Sequence, residues 1–340
     1  MTGHQASGLG IFCRVAKPKH LCYLTHMRNT SDVHKAATSL FQVWVRFPIL
    51  TALLFVCFFA MSDGCRAAGN TRGKDVLPVF VSIPPQVHFV EAIGKARVDC
   101  SAMVGPTHSP ATYEPTPQQI AALGKARLYF RIGVPFETVW MKRIQAANRD
   151  MKVIDTSRGV DFLPMKQHYH ANGHAHGKGK QDPHIWLSIN AVKHQARNIC
   201  DALVDVDPDN SAFYKNNLTA FLDELDRLDQ TIADSFADLD SRKFIAIHPA
   251  WGYFARDYDL EQIPVELEGK QPSAKSLTQL IQLAEKENIR VVVVQKQFST
   301  ASAKVIAKTI GAQIVQLNPL DPDYVQNMKQ IAATLRETMK

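Results

Sequence analysis

The chain has 340 residues, of which 46% are hydrophobic and 21% are charged, so it has the composition of a globular protein long enough for two domains. Its formal net charge is +7, but seven Lys and Arg residues against two Asp residues place +5 of that charge in residues 1–68. The remaining charge is small, with both signs interspersed. This distribution argues against a phosphate-binding face, and we expect no nucleic-acid partner.

Residues 1–68 have the features of a secretory signal region. A fifteen-residue apolar run, Phe47–Met61, follows Arg46 and precedes small residues. A membrane-spanning helix needs about 20 apolar residues, so the shorter run and the A-x-A-like site at Cys65–Ala67 predict a cleaved signal and a periplasmic protein. The basic stretch before the run is long, which favours Met27 as the true start. A retained single-span anchor and a lipid anchor on the cysteine are the alternatives.

Beyond that region, the chain alternates short apolar strands with helices. Strands are predicted at 76–83, 98–104, 126–132 and 151–155, with helices before residue 94 and at 116–123 and 136–147. The pattern resumes with strands at 243–249, 291–295 and 312–317 and helices at 276–287 and 300–310. Short apolar strands between helices are typical of parallel sheets covered on both faces, so the predicted fold class is α/β, with two parallel-sheet lobes.

One long helical pattern separates the two series, from about residue 209 to 239, with apolar residues spaced three or four apart. A stiff helix of this length would join the lobes at a nearly fixed angle, with the ligand site in the cleft between them. The predicted domains are a first lobe at 69–205, a linking helix at 206–240 and a second lobe at 241–340. Two cysteines, Cys100 and Cys200, fall in the first lobe and form either a disulfide or two free thiols.

Four potential metal ligands lie in loops of the two predicted lobes. His108 follows the strand that ends at Val104, His248 closes the strand 243–249, and Asp321 follows the last strand. His184 lies in the DPHIWLS stretch that precedes a helix. Imidazole nitrogens with a carboxylate suit Zn²⁺, and less often Mn²⁺ or Fe²⁺. We therefore predict a metal site at the cleft.

Several motifs of the chain resemble those of the zinc/manganese solute-binding proteins of bacterial ABC transporters. The motifs are SPATYEPTPQQIAAL, DPHIWLS, IHPAWGYFARDYDL and QFSTASAKVIAKTIGAQIVQLNPLDPDY, within a similarity that covers about residues 76–338. The resemblance implies two α/β lobes joined by a rigid helix, and a metal held between the lobes by three histidines plus a carboxylate or water. It also implies delivery of the metal to a membrane permease driven by a cytoplasmic ATPase. We expect the protein itself to be a monomer.

The resemblance assigns the ligands unevenly. His184 matches the second histidine of the family and His248 the third. Ala111 stands where the first histidine is usual, so that role falls either to His108 or to a histidine of the loop at 168–176. Asn318 stands where the family often has its aspartate, so the fourth ligand is either Asp321 or water.

A histidine-rich loop at 168–180 precedes the DPHIW motif, as is typical of the zinc-binding members of the family. Its glycines make it flexible, so its histidines would capture Zn²⁺ weakly near the cleft and pass it inward. The accessory ligands are His168, His170, His174 and His176. The alternatives are a solvated loop without a metal role, or a place for His170 in the inner site.

Two other function classes compete with metal transport. In a metal-dependent hydrolase, Glu114 or Glu268 would act as the general base. The sequence contains no HExxH motif, no GxSxG motif and no P-loop, so we expect no enzymatic activity. A surface adhesin that binds metal is the second alternative, since some members of the superfamily are described in that way.

Overall fold

The computed structural model describes residues 76–165, 181–266, 272–298 and 300–340. Its strands are β1 (Leu77–Val81), β2 (Val98–Ala102), β3 (Leu128–Arg131), β4 (Lys152–Asp155), β5 (Lys243–Ala246), β6 (Glu261–Pro264), β7 (Val291–Val294) and β8 (Gln313–Gln316). Its helices are α1 (Pro84–Gly94), α2 (Pro117–Ala122), α3 (Pro135–Ala147), α4 (Ile189–Val206), α5 (Ser211–Ser235), α6 (Gly252–Asp257), α7 (Ala274–Lys286), α8 (Ala301–Ile310) and α9 (Tyr324–Met339).

The strands form two four-stranded parallel sheets of the same design. The first has the order β2-β1-β3-β4 and the second the order β6-β5-β7-β8. In each sheet the strand order reverses beside the first strand, and loops that leave the sheet in opposite directions at such a point open a crevice at its carboxyl edge. The predicted fold class, two α/β lobes with one long helix, is confirmed.

The long helix α5 has 25 residues and is therefore about 38 Å long at 1.5 Å per residue. Its buried stripe is Tyr214, Phe221, Leu225, Leu228 and Ile232, which follows the predicted spacing. The apolar pattern continues to Leu239, but the helix ends at Ser235. Phe236 and Leu239 are also buried, because the turn after the helix packs them against the core.

Helix α6 and strand β6 were not predicted, although both lie close to the candidate site. Strand β6 has the sequence EQIP, in which the polar Gln262 is buried. The Gln262 side chain accepts a hydrogen bond from the backbone N–H of Trp251 at 2.7 Å. A polar residue buried in this way interrupts the apolar pattern by which a strand is identified in the sequence.

Both cysteines of the first lobe are free thiols, so the disulfide alternative is not observed. Burial raises the pKa of Cys200 to about 11 and that of Cys100 further. Within the four described ranges, no helix combines the length and the apolar character that crossing a bilayer requires. The predicted signal region and the histidine-rich loop lie outside the described residues.

His88 lies where three helices meet. Its ring on α1 is 5.9 Å from that of Phe221 on α5 and 6.3 Å from that of Tyr324 on α9, measured between centroids. Burial lowers the pKa of His88 below its usual 6.5, against the smaller opposing effect of nearby Glu224, Asp323 and Glu91. Lys95 acts in the same direction as burial.

The lowered pKa of His88 predicts a loss of stability in acid. The unfolded chain, in which the histidine pKa is about 6.5, takes up the proton first, so the free energy of unfolding should fall as the pH drops below that value. The loss should level off below the folded-state pKa. Denaturant unfolding over this pH range should show a flatter profile for His88→Gln than for the parent. An identical profile for both would contradict the prediction, and His194→Gln, an exposed histidine, is the control.

Candidate metal site

His184 is held by an apolar segment anchored in both lobes. It precedes the short 3₁₀-helix Ile185–Leu187, all three residues of which are buried. Within this helix, the Trp186 indole N–H donates a 2.7 Å hydrogen bond to the Pro319 carbonyl of the second lobe. The backbone around His184 is therefore fixed, although it does not directly follow a strand as the other predicted ligands do.

Asp182 orients the imidazole of His184. One of its carboxylate oxygens accepts the backbone N–H of His184 at 3.0 Å and lies 2.6 Å from its Nδ1. The backbone contact is an Asx-turn, in which an aspartate binds the N–H two residues further on. Both side chains are at least 90% buried. With Nδ1 occupied by the carboxylate, Nε2 is the nitrogen left to bind a ligand.

His248 is oriented in the same way from the second lobe. It follows β5, and its Nδ1 lies 3.3 Å from a carboxylate oxygen of Glu266. Phe298 stacks on the imidazole, with 4.4 Å between ring centroids and 16° between planes. Burial lowers the pKa of His248, which favours the neutral ring that a metal requires. Nε2 is again the nitrogen that faces the cleft.

The two Nε2 atoms, one from each lobe, lie 3.4 Å apart. If each carboxylate accepts the Nδ1–H of its histidine, both Nε2 atoms carry lone pairs directed toward one another. Two nitrogens bound at 2.0–2.1 Å to one tetrahedral zinc ion lie about 3.3–3.4 Å apart. The separation of His184 and His248 therefore fits a zinc ion shared between them, with each ring fixed by a carboxylate as in known metal sites.

The structure does not bring His108 and Asp321 into this pair. His108 is exposed and packs edge-on against Tyr113, with 5.4 Å between ring centroids. Asp321 accepts hydrogen bonds from the Asn318 amide and the Asp323 backbone N–H, both at 3.1 Å, so it closes a turn. Within the described part of the chain, no group of three His, Cys, Asp or Glu residues is arranged to hold a metal ion.

The loop that carries His108 nevertheless touches the loop that covers His248. The Gln297 side chain of the second lobe donates a 3.1 Å hydrogen bond to the Pro106 carbonyl of the first lobe. Gln297 precedes Phe298, which stacks on His248. This contact thus connects the loop of His108 with the surroundings of His248.

The remaining candidates from the sequence fall elsewhere. The accessory histidines His168, His170, His174 and His176 lie outside the described residues, as does Glu268. Glu114 is exposed. Sequence reasoning did not single out Asp182, Glu266 or Phe298. The spacing of Asp182 and His184 in DPH was the one available signal, because it is the spacing of an Asx-turn.

Comparisons with known proteins identify the family of the chain. A family model described as the periplasmic component A of the zinc-uptake complex matches residues 79–338. The high-affinity zinc uptake system protein ZnuA of Bacillus subtilis (strain 168) is 26% identical over 320 residues, covering 88% of this chain and 99% of that protein. A putative metal-binding protein of Treponema pallidum (strain Nichols) is 27% identical over 297 residues, covering 84% of this chain and 94% of that protein.

Solved structures show the same fold. A crystal structure of ZnuA aligns with a TM-score of 0.72 at 45% identity, covering 78% of this chain and 100% of that one. A zinc-bound deletion mutant of ZnuA aligns with a TM-score of 0.73 at 44% identity, covering 78% of this chain and 99% of that one. The laminin-binding protein of Streptococcus agalactiae aligns with a TM-score of 0.68 at 20% identity, covering 78% of this chain and 100% of that one. At this identity the similarity concerns the fold alone. The resemblance seen in the sequence motifs is confirmed: the chain belongs to the family of periplasmic component A of zinc-uptake complexes.

Proposed function

We propose that this protein captures one Zn²⁺ ion through the Nε2 atoms of His184 and His248 and delivers it to the permease of an ABC transporter. The observation that carries the proposal is the 3.4 Å separation of the two Nε2 atoms, each on a ring fixed by a carboxylate. Membership of the zinc-uptake family supports zinc as the transported ion. Because a transported ion must also be released, a site shared between two lobes suits this function better than one enclosed in a single lobe.

His108 is our proposed third ligand. What supports this choice is the hydrogen bond between Gln297 and Pro106, which ties its loop to the segment of the second lobe that precedes Phe298. Among the described residues, the imidazole has one side-chain hydrogen-bond contact, at 3.5 Å to the Thr107 hydroxyl, besides its packing against the Tyr113 ring. The proposal requires the side chain to turn away from the Tyr113 ring toward the two Nε2 atoms. A loop histidine, His170 among them, is the alternative.

The fourth position is open either to Asp321 or to water. Asp321 would have to leave its contacts with Asn318 and Asp323, which water would not require. Because a transport site must release its ion, a labile water in this position is consistent with the proposed function. The histidine-rich loop supplies weaker accessory sites.

Several features of the proposal follow from the family and the sequence together. The protein works outside the cytoplasm, and we infer that it arrives there through the signal region at 1–68, with cleavage near Ala67 or a lipid on Cys65. Its partners are a membrane permease and a cytoplasmic ATPase, which it meets as a monomer. Solute binding without catalysis accords with the absence of the hydrolase motifs from the sequence.

The thermal response to metals tests the choice of ion. A ligand that binds only the folded state at a concentration 100 times its Kd stabilises it by about 2.7 kcal/mol, which in a domain of this size raises Tm by about 5 °C. Because imidazole ligands favour Zn²⁺ over Mn²⁺, Zn²⁺ should give the larger shift at equal concentration. A larger shift from Mn²⁺ would contradict the zinc assignment.

A further inference from the structure

The first turn of α6, in the second lobe, contacts the residues that lead to His184 in the first. The buried Tyr253 hydroxyl donates a 2.9 Å hydrogen bond to the Asp182 carbonyl and accepts one, also at 2.9 Å, from the Leu163 backbone N–H. Asp182 and Leu163 are themselves joined by a 2.8 Å backbone hydrogen bond. The Tyr253 hydroxyl therefore binds both segments, the one that contains Leu163 and the one that contains Asp182. Burial raises the pKa of Tyr253 to about 12, so the hydroxyl keeps its proton as a donor near neutral pH.

Gly252, the residue before Tyr253, has no side chain, and the Asp182 carboxylate lies where a side chain would begin. A Cβ added at Gly252 would lie 2.9 Å from the Asp182 Oδ2 atom, closer than carbon and oxygen atoms normally approach. The other oxygen of the same carboxylate holds His184 at Nδ1 and at the backbone N–H. The carboxylate therefore cannot move away from α6 without changing its contacts with the imidazole.

We propose that Gly252 and Tyr253 are positioning residues for the metal site: by holding Asp182, they direct Nε2 of His184 toward His248. The second lobe would then supply both the His248 ligand and the support that aims the ligand of the first lobe. This inference rests on the proposed zinc capture. Zinc affinity should then depend on how closely α6 packs against Asp182 of the first lobe, although Gly252 and Tyr253 are not themselves metal ligands.

A cavity beside Asp182 makes the inference testable in a folded protein. It has a volume of about 250 Å³, and Asp182, Gly252 and Gln262 contribute to its lining. A carboxylate displaced by a methyl group at Gly252 could swing into this space. Gly252→Ala should therefore fold and lose mainly the orientation of His184. Tyr253→Phe should fold as well, because it keeps the ring and removes only the hydroxyl.

The experiment measures zinc affinity by competition with a chromogenic chelator, together with the visible absorption of the Co²⁺-loaded protein, which depends on coordination geometry. Outer-shell changes around metal ligands cost about 10–100-fold in affinity, so we expect about tenfold weaker Zn²⁺ binding for Gly252→Ala. Loss of hydrogen bonds from one hydroxyl should give about fivefold for Tyr253→Phe. Both variants should change the Co²⁺ spectrum.

Two matched controls separate positioning from general destabilisation. Gly124→Ala adds a methyl group that meets nothing within 4 Å. Tyr258→Phe removes a hydroxyl that binds Asp229 at 2.8 Å, close to the end of α6 and away from Asp182. Both controls should keep the parent affinity and spectrum. Equal affinity and an unchanged spectrum for Gly252→Ala and Tyr253→Phe would overturn the inference, whereas absence of tight zinc binding in the parent would overturn the proposed function instead.

Discussion

Replacing His184 or His248 with alanine is expected to weaken zinc binding by more than about 100-fold, because loss of a direct ligand costs more than loss of an outer-shell partner. Each substitution would remove one of the two proposed imidazole ligands and also one contact of a buried carboxylate, that of Asp182 or Glu266. The two single variants should be similar, since each histidine would contribute one Nε2 atom from its own lobe. The double variant should retain only the weak binding of the accessory loop.

His194→Ala is the matched control for these variants. His194 is an exposed histidine on α4 and is not one of the proposed metal ligands. It should bind Zn²⁺ as tightly as the parent in chelator competition. If the double variant of His184 and His248 bound Zn²⁺ with parental affinity, the ligand assignment would be wrong.

The second large effect concerns the third ligand. His108→Ala should weaken the single tight site by about 100-fold or more, while deletion of residues 168–180 should remove only low-affinity zinc equivalents. The reason is pre-organisation: a ligand from a glycine-rich loop must be ordered at a cost of about 1–2 kcal/mol for each residue fixed. The backbone next to His108 is already bonded to the second lobe.

Titration calorimetry on the two variants distinguishes the alternatives. The expected result is one tight equivalent in the loop deletion and weakened tight binding in His108→Ala. The opposite result, with tight binding lost on loop deletion and unaffected in His108→Ala, would place the third ligand in the loop. Thr107→Ala serves as the control for His108→Ala, because it changes the neighbouring side chain and keeps the imidazole.

The sequence predicted the lobes because each alternates short apolar strands with helices. It missed β6 because the buried polar Gln262 is satisfied by a backbone N–H that only the folded chain places beside it. It missed α6 because a helix of 6 residues is too short for a clear helical period. The long helix was predicted four residues past its end, because the buried residues of the following turn continue its apolar spacing. Apolar spacing indicates which residues are buried, and residues of a turn can be buried at the same spacing as those of a helix.

For the site, sequence patterns located His184 and His248 individually. Their meeting could not be deduced from spacing, because they are 64 residues apart and belong to different lobes. The carboxylate of Glu266 reaches His248 only through the pairing of β5 with β6, which was not predicted. The third and fourth ligands stayed open in the sequence because Ala111 and Asn318 replace the residues usual in the family.

Anomalous diffraction at the zinc edge from crystals grown with one equivalent of Zn²⁺ tests the central claim most directly. One strong peak is expected between the lobes, about 2.0–2.1 Å from Nε2 of both His184 and His248, with their Nδ1 atoms still bonded to Asp182 and Glu266. A principal peak that contacts neither histidine, or that binds them through Nδ1, would contradict the account.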